Sequence, residues 1–305
     1  MTVKTDEEFI AEIARLRAER GAVILAHNYQ RPEIQDIADF TGDSLGLSRQ
    51  AAATQADVII FCGVHFMAET AYILSPDKVV VLPEIEAGCM MADMITVEGL
   101  LELKAAHPGV PVVCYVNSSA AIKAESDVCC TSANAVAVAN AIDADEIIMI
   151  PDRNLGYWVA QQTGKKVIPW DGFCPTHEYI TVEQIEAARR RFPNAVVMVH
   201  PECRPEVTAI ADAVLSTSQM FGLAARSDAT DFIVGTELGI GHGLAKANPA
   251  KCFHFPTDET ICPNMKVITL AKVAESLATL QPRVTVDEET RLRALAAVQR
   301  MVELG

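Results

Sequence analysis

Apolar, β-branched runs alternate with amphipathic stretches along the chain, and the alternation itself repeats. The run AVILAHNYQ ends in polar residues, as do VPVVCYVNS and AVVMVHPEC. A helical stretch and a small-polar turn follow each one (TGDSLG, CTSANA, LSTSQM). A second buried run comes next: DVIIFCG, EIIMIPD and DFIVGTE. Another amphipathic stretch leads to a third run ending in cysteine: KVVVLPEIEAGC, KKVIPWDGFC and KCFHFPTDETIC. Continuous apolar runs between amphipathic helices are the mark of strands buried on both faces. Each repeat therefore predicts a small parallel sheet with helices on both sides.

The register is tight. Cys89, Cys174 and Cys262 are 85 and 88 residues apart, and His27, Tyr115 and His200 are 88 and 85 apart. Ser44, Ser132 and Ser218 follow at 88 and 86. Seven residues after each registered cysteine stands a threonine, Thr96, Thr181 or Thr269, and near the far end of the following helix a proline, Pro108, Pro193 or Pro282. Threonine is a good N-cap, so each cysteine is expected in a loop just before a helix. The expected fold is α/β, with three αβα (Rossmann-like, parallel-sheet) units related by a pseudo-threefold axis around a central site. The expected segments are 1–92, which includes an N-terminal helix, then 93–177, 178–265, and 266–305, whose helices pack back on the first repeat. Thr5 with Glu8 predicts a capping box and Gly21 a helix stop. Two closing helices are expected over 264–281 and 286–304, the second opened by Thr285 with Glu288.

Parallel strands joined by crossovers leave their carboxyl ends on one side, where ligands of open α/β sheets bind. Side chains at i and i+2 share a strand face. The three first-strand ends thus pair His27 with Tyr29, Tyr115 with Asn117, and His200 with Glu202. These are groups for acid–base work and for holding carboxylates or carbonyls. Ser44, Ser132 and Ser218, with Thr217 of the same class, sit in turns that open helices. Hydroxyls and free N–H groups there make anion sites. One cysteine per repeat gives three thiolates that suit a soft metal centre, and three protein ligands leave a position open for substrate. The spacing does not choose between iron–sulfur and zinc.

Other signals carry less. Gly239, Gly241 and Gly243 lack the spacing of a dinucleotide loop. Cys129 and Cys130 are read as packing residues within a helix-opening turn. His177 could ligate zinc together with Cys174, but it reads as a helix-start residue, because Ala92 and Met265 stand at its counterparts.

Composition narrows the classes. Half of the 305 residues are hydrophobic, 21% are charged and mean hydropathy is +0.20, which is a globular composition. With 25 Lys+Arg against 40 Asp+Glu the net charge is −15, which argues against nucleic-acid binding. No stretch reads as a membrane span, and the charged, helical start is not a signal peptide. The expected location is therefore the cytoplasm, where nine cysteines are buried, catalytic or metal-bound rather than disulfide-linked.

The segments AHNYQ…DIADFTGDSLGLSRQAA, GVHFMAETA, LPEIEAGCMMAD, YVNSSAAIKAESDVCCTSANA, PDRNLG, WDGFCPTH, VHPEC and ADAVLSTSQM together resemble quinolinate synthase, the NadA family, over about 25–265. The resemblance implies three αβα domains about a central [4Fe-4S] cluster held by Cys89, Cys174 and Cys262, with the fourth iron free for substrate. It implies condensation of iminosuccinate with dihydroxyacetone phosphate to quinolinate in NAD biosynthesis, with loss of phosphate and two waters. By residue, it implies substrate binding at His27, Ser44, Tyr115, Asn117, Ser132, His200, Glu202 and Thr217. It implies proton transfer by Tyr29, and proton handling by His200 and Glu202, with Tyr115 also in the catalytic set. It further implies transient contact with the aspartate oxidase or dehydrogenase that supplies iminosuccinate. The chain departs from members that carry a C-x-x-C-x-x-C run at the third ligand: here Cys262 stands there alone, with Cys252 ten residues before it. Two other readings share the three cysteines: a different hydro-lyase with an open cluster, and a non-enzymatic zinc or cluster carrier.

Overall fold

The structure, a computed structural model, describes residues 4–304. Its first unit runs α1 (Asp6–Arg20), β1 (Ala22–His27), α2 (Pro32–Ile37), β2 (Phe40–Gly42), α3 (Ser44–Ala53), β3 (Val58–Cys62), α4 (His65–Leu74) and β4 (Val79–Val81). The second runs α5 (Val97–Ala106), β5 (Val112–Tyr115), α6 (Ala120–Ala124), β6 (Val128–Cys130), α7 (Ala135–Ala141), β7 (Glu146–Ile150), α8 (Arg153–Thr163) and β8 (Lys166–Pro169). The third runs α9 (Pro175–Glu178), α10 (Val182–Arg191), β9 (Val196–Val199), α11 (Pro205–Thr208), β10 (Ala213–Val214), α12 (Thr217–Arg226), β11 (Asp231–Gly235), α13 (Ile240–Ala247) and β12 (Cys252–His254). The chain closes with α14 (Leu270–Thr279) and α15 (Glu288–Leu304).

Three four-stranded parallel sheets result, ordered β2-β1-β3-β4, β6-β5-β7-β8 and β10-β9-β11-β12. The α/β expectation is borne out, with one addition. Each repeat carries a short edge strand, β2, β6 or β10, where the sequence reads as turn. Two or three residues are too few to show a hydrophobic period. Cys129 and Cys130 accordingly lie on β6, fully buried, and not in a helix-opening turn.

Side chains repeat the register too. Asp39, Asp127 and Asp212 each accept a hydrogen bond from a backbone N–H of the first strand in their unit, Ile24, Val112 and Val197, at 2.9, 2.7 and 2.8 Å. Lys78, Lys165 and Lys251 each donate to carbonyls in the last turn of, or just beyond, the helix before the second long strand, satisfying its free end. Thr96, Thr181 and Thr269 cap α5, α10 and α14 as expected. Thr5 and Glu8 form the capping box of α1, and Gly21 ends it in the left-handed region at φ 57°.

The closing helices differ from expectation in detail. A 3₁₀ turn, Pro263–Lys266, follows Cys262, and α14 begins only at Leu270. Helix α15 starts at Glu288, and Asp287, not Thr285, accepts the Thr290 N–H. Helix α14 packs on α1, where Arg20 donates to the Ala278 carbonyl. Helix α15 lies against α6 and β6 of the second unit as well as α4 of the first, so it straps two units together instead of returning to the first alone. Its last carbonyls are satisfied from both: Asn134 donates to Met301 and Arg49 to Val302. A main core runs through the first two sheets and much of the third, and a smaller one sits beneath α10 and β9.

Met301 is fully buried on the strap. Met301→Ala is expected to cost about 2–5 kcal/mol in urea unfolding. A loss well under 1 kcal/mol would remove α15 from the core.

Candidate active site

In each sheet the chain leaves the first long strand toward one edge and returns to the other side of it. The crevice beyond the carboxyl ends of that strand and its neighbour is the natural ligand site. All three crevices open into one cavity. Its walls include His27, Tyr29, Ser44 and Cys89 from the first unit, and Tyr115, Asn117, Ser132 and Cys174 from the second. His200, Glu202, Thr217 and Cys262 complete them. Twelve of the thirteen residues singled out from sequence thus face one space. Ser218, the registered serine of the third repeat, does not: it is exposed on α12, and Thr217, the first helical residue, takes its place.

Local structure explains each placement. His27 and Tyr115 are the last residues of β1 and β5, and His200 directly follows β9. Ser44 opens α3 behind its N-cap Asp43. Cys174 and Cys262 stand at the start of the short helix and the 3₁₀ turn that follow them.

Glu202 organises the polar wall. Only 3% exposed, its Oε2 lies 3.0 Å from His200 Nδ1 and 3.1 Å from His177 Nδ1. The two imidazoles stack with centroids 4.6 Å apart. Burial would raise the Glu202 carboxyl, but the flanking histidines hold it below its ordinary value. His200 Nε2 is 3.1 Å from Ser132 Oγ. His177 Nε2 is 2.7 Å from Thr236 Oγ1, which is 2.5 Å from the Tyr29 hydroxyl. A hydrogen-bonded chain therefore runs from Tyr29 through Thr236 to His177, whose Nδ1 meets Cys174 Sγ at 3.1 Å and lies beside the Glu202 carboxylate. Burial raises the Tyr29 phenol well above its ordinary value, with the Thr236 bond opposing. Two polar atoms on the wall have no protein partner, Glu202 Oε1 and Asn117 Oδ1. Buried orphans of this kind call for a ligand or water.

His177 and Thr236 are the residues that sequence reasoning missed. His177 does begin a helix, α9, as expected, but its ring is buried on the cavity wall. Cys174-x-x-His177 was the available signal, and the absence of counterparts in the other repeats hid it. Thr236 carried none: it is one residue beyond a buried strand.

The thiols answer to burial. It pushes Cys89 up to about 12, with Cys262 adding, and raises Cys174 and Cys262 as well. Backbone N–H groups beside them oppose that rise, and a bound metal cation would favour the thiolates further. Cys174, His177 and Glu202 also offer ligand atoms within 4.8 Å of one another, so the site fits a metal. The nine cysteines are all free, and among the described residues no helix is long and apolar enough to cross a membrane.

Burial lowers the His27 imidazole to about 3, with His200 and Lys266 adding and Glu202 opposing. His27 stays neutral when folded and takes up its proton only when unfolded, below the ordinary 6.5. Its contribution is present at neutral pH and is lost as pH falls from 6.5 toward 3. Between about pH 7.5 and about pH 5.5 it should cost about 1 kcal/mol in urea unfolding. His27→Gln should shrink that drop, and an identical drop would exclude the assignment.

The family model for the quinolinate synthetase A protein, NadA, matches residues 11–303. Among curated relatives, the quinolinate synthase of Dehalococcoides mccartyi is 55% identical over 293 residues, covering 96% of this chain and 97% of the relative. That of Geobacter metallireducens is 56% identical over 293 residues, covering 96% of each. Quinolinate synthase 1 of Methanosarcina acetivorans is 55% identical over 295 residues, covering 97% of each. Similarity at this level, end to end and across all three units that build the cavity, makes the chain an enzyme of the quinolinate synthase (NadA) family.

Proposed function

We propose that this chain condenses iminosuccinate with dihydroxyacetone phosphate to quinolinate, in the service of NAD biosynthesis, and that Cys89, Cys174 and Cys262 hold a [4Fe-4S] cluster. The observation that carries the reading is the convergence of one cysteine and one polar strand end from each repeat on a single cavity. Three thiols on three separate loops suit a cluster that keeps one iron open. Bound there, the cluster supplies a Lewis acid for a departing hydroxyl or a carboxylate oxygen.

The chain's own groups do the rest. One phosphate and two waters must leave as the ring closes, so protons must be given and taken at several positions. His200 and Glu202 handle protons on the wall shared with Ser132, and Tyr29 exchanges them through Thr236 and His177. Tyr115 presents a phenol that burial raises well above its ordinary value, so it donates as a neutral acid. The orphaned Asn117 Oδ1 accepts from a substrate N–H or hydroxyl. Thr217 Oγ1 accepts from Asn28 Nδ2 at 3.0 Å, which leaves its own proton to donate to a substrate oxygen. Ser44, at the start of α3, donates likewise, and His27, kept neutral, orients a carboxylate or carbonyl. The buried wall groups limit how much water meets intermediates that hydrolyse readily. Iminosuccinate is short-lived, so transient contact with an aspartate oxidase or dehydrogenase belongs to the same reading. Nine free thiols fit a reducing compartment, the cytoplasm.

A second reading has its own observation: the Cys174, His177 and Glu202 group would suit a single zinc. Metal analysis of protein purified without oxygen separates the two. About four iron and four acid-labile sulfide per chain supports the cluster, whereas stoichiometric zinc with little iron overturns it. Cys174→Ala is expected to abolish cluster binding and quinolinate formation while leaving a folded chain by circular dichroism. A full cluster in that variant would refute the ligand assignment. Tyr29→Phe is expected to keep the cluster and lower kcat by about 10²–10⁴, and near-normal turnover would remove Tyr29 from the chemistry.

A further inference from the structure

Strand pairing fixes which residues are equivalent beyond the second long strand of each unit. Ala26 pairs with Cys62, Cys114 with Ile150, and Val199 with Gly235. Two residues further on, Val64, Asp152 and Glu237 therefore occupy one structural position. Two of the three are carboxylates with no exposure. Each splits its oxygens in the same way. Asp152 Oδ1 accepts the Leu155 N–H at the start of α8 at 2.7 Å, and Oδ2 accepts the Cys174 N–H at 3.2 Å. Glu237 Oε2 accepts the Gly239 N–H at the start of α13 at 2.6 Å, and Oε1 accepts the Cys262 N–H at 3.2 Å. Glu237 Oε1 also meets Lys266 Nζ at 2.8 Å. In the first unit Val64 caps α4 with no side-chain bond, and that helix is tied to the cysteine loop by backbone alone, His65 N–H to the Ala87 carbonyl at 2.7 Å.

We propose that Asp152 and Glu237 are positioning residues that aim Cys174 and Cys262 into the cavity by clamping each cysteine's backbone N–H to the start of α8 or α13, and that Cys89 has no carboxylate clamp, its loop being held instead by the Ala87 carbonyl and by Asn264 Nδ2 on the Gly88 carbonyl. A ligating cysteine has few torsions between its backbone and its sulfur, so a fixed N–H fixes where the sulfur points. Groups that hold ligands in this way govern metal retention as strongly as some ligands do. Asp152 stands behind the cavity wall and Glu237 on it, and each holds its cysteine N–H in the protein without metal. The consequence for the cluster rests on the ligand assignment proposed above.

The test is built to fail independently of that assignment. In cluster-free protein, iodoacetamide labelling of each cysteine is followed by mass spectrometry in wild type, Asp152→Asn and Glu237→Gln. The amides keep volume and one acceptor oxygen, so the chain folds, but each loses one of its two N–H partners. Asp152→Asn should speed labelling of Cys174 several-fold and leave Cys262 unchanged, and Glu237→Gln should do the reverse. An equal fold-change over wild type at both cysteines in either variant, whether a rise or none, would overturn the proposal, because general loosening moves both alike. In cluster-bearing protein the same variants should lose iron to a chelator about ten- to hundredfold faster, with an altered visible spectrum. If wild-type protein carries no cluster, the cluster reading falls while the labelling result still decides the clamp.

Discussion

Parallel pairing through helical crossovers sends every strand of a sheet out at the same edge. Everything else in the molecule depends on that constraint. It places three strand ends, three helix-opening turns and three cysteine loops on the functional side of their sheets. Three such edges then meet at one cavity, and no single unit holds half of the proposed chemistry. A site distributed in this way needs the units held together. The strap α15, with carbonyls satisfied from two units, contributes to that.

Bringing so many polar groups out of water is costly, and the wall shows how the cost is met. Glu202 is flanked by two imidazoles, and neutral His27 accepts the Tyr29 N–H at Nδ1. The remaining orphans, Glu202 Oε1 and Asn117 Oδ1, mark where satisfaction is left to a ligand. Stability and function are thus in tension at the same atoms: a fully satisfied wall would be more stable and would have no acceptors left to offer substrate.

The repeats have diverged most at the cavity. Their peripheral bonds are nearly copies, as with Asp39, Asp127 and Asp212 on the first strands. Toward the centre, one position carries Val64, Asp152 and Glu237, and another carries Ala92, His177 and Met265. A bond that only closes a sheet is needed in every unit. A group that serves one asymmetric site need not be copied in every unit.

The three-unit fold, the cysteine triad and the strand-end pairs were legible in the chain itself. They rest on local periodicity and on copies that vouch for one another, and local capping signals such as Thr96, Thr181 and Thr269 were equally readable. The short edge strands were not, since so few residues hold no period, and neither was the partnership of α15, which follows from packing across units. Threefold register also misled where function is asymmetric. It pointed to Ser218 where Thr217 faces the cavity, and it discounted His177 because its counterparts are apolar. Thr236, Asp152 and Glu237 gain meaning only from groups distant in sequence, such as Tyr29 from Thr236 across 207 residues. Sequence by itself determined which residues sit at strand ends, because period and register are local. Only the tertiary structure decided which of them touch, because burial and hydrogen bonding between units depend on three separate segments arriving at one place.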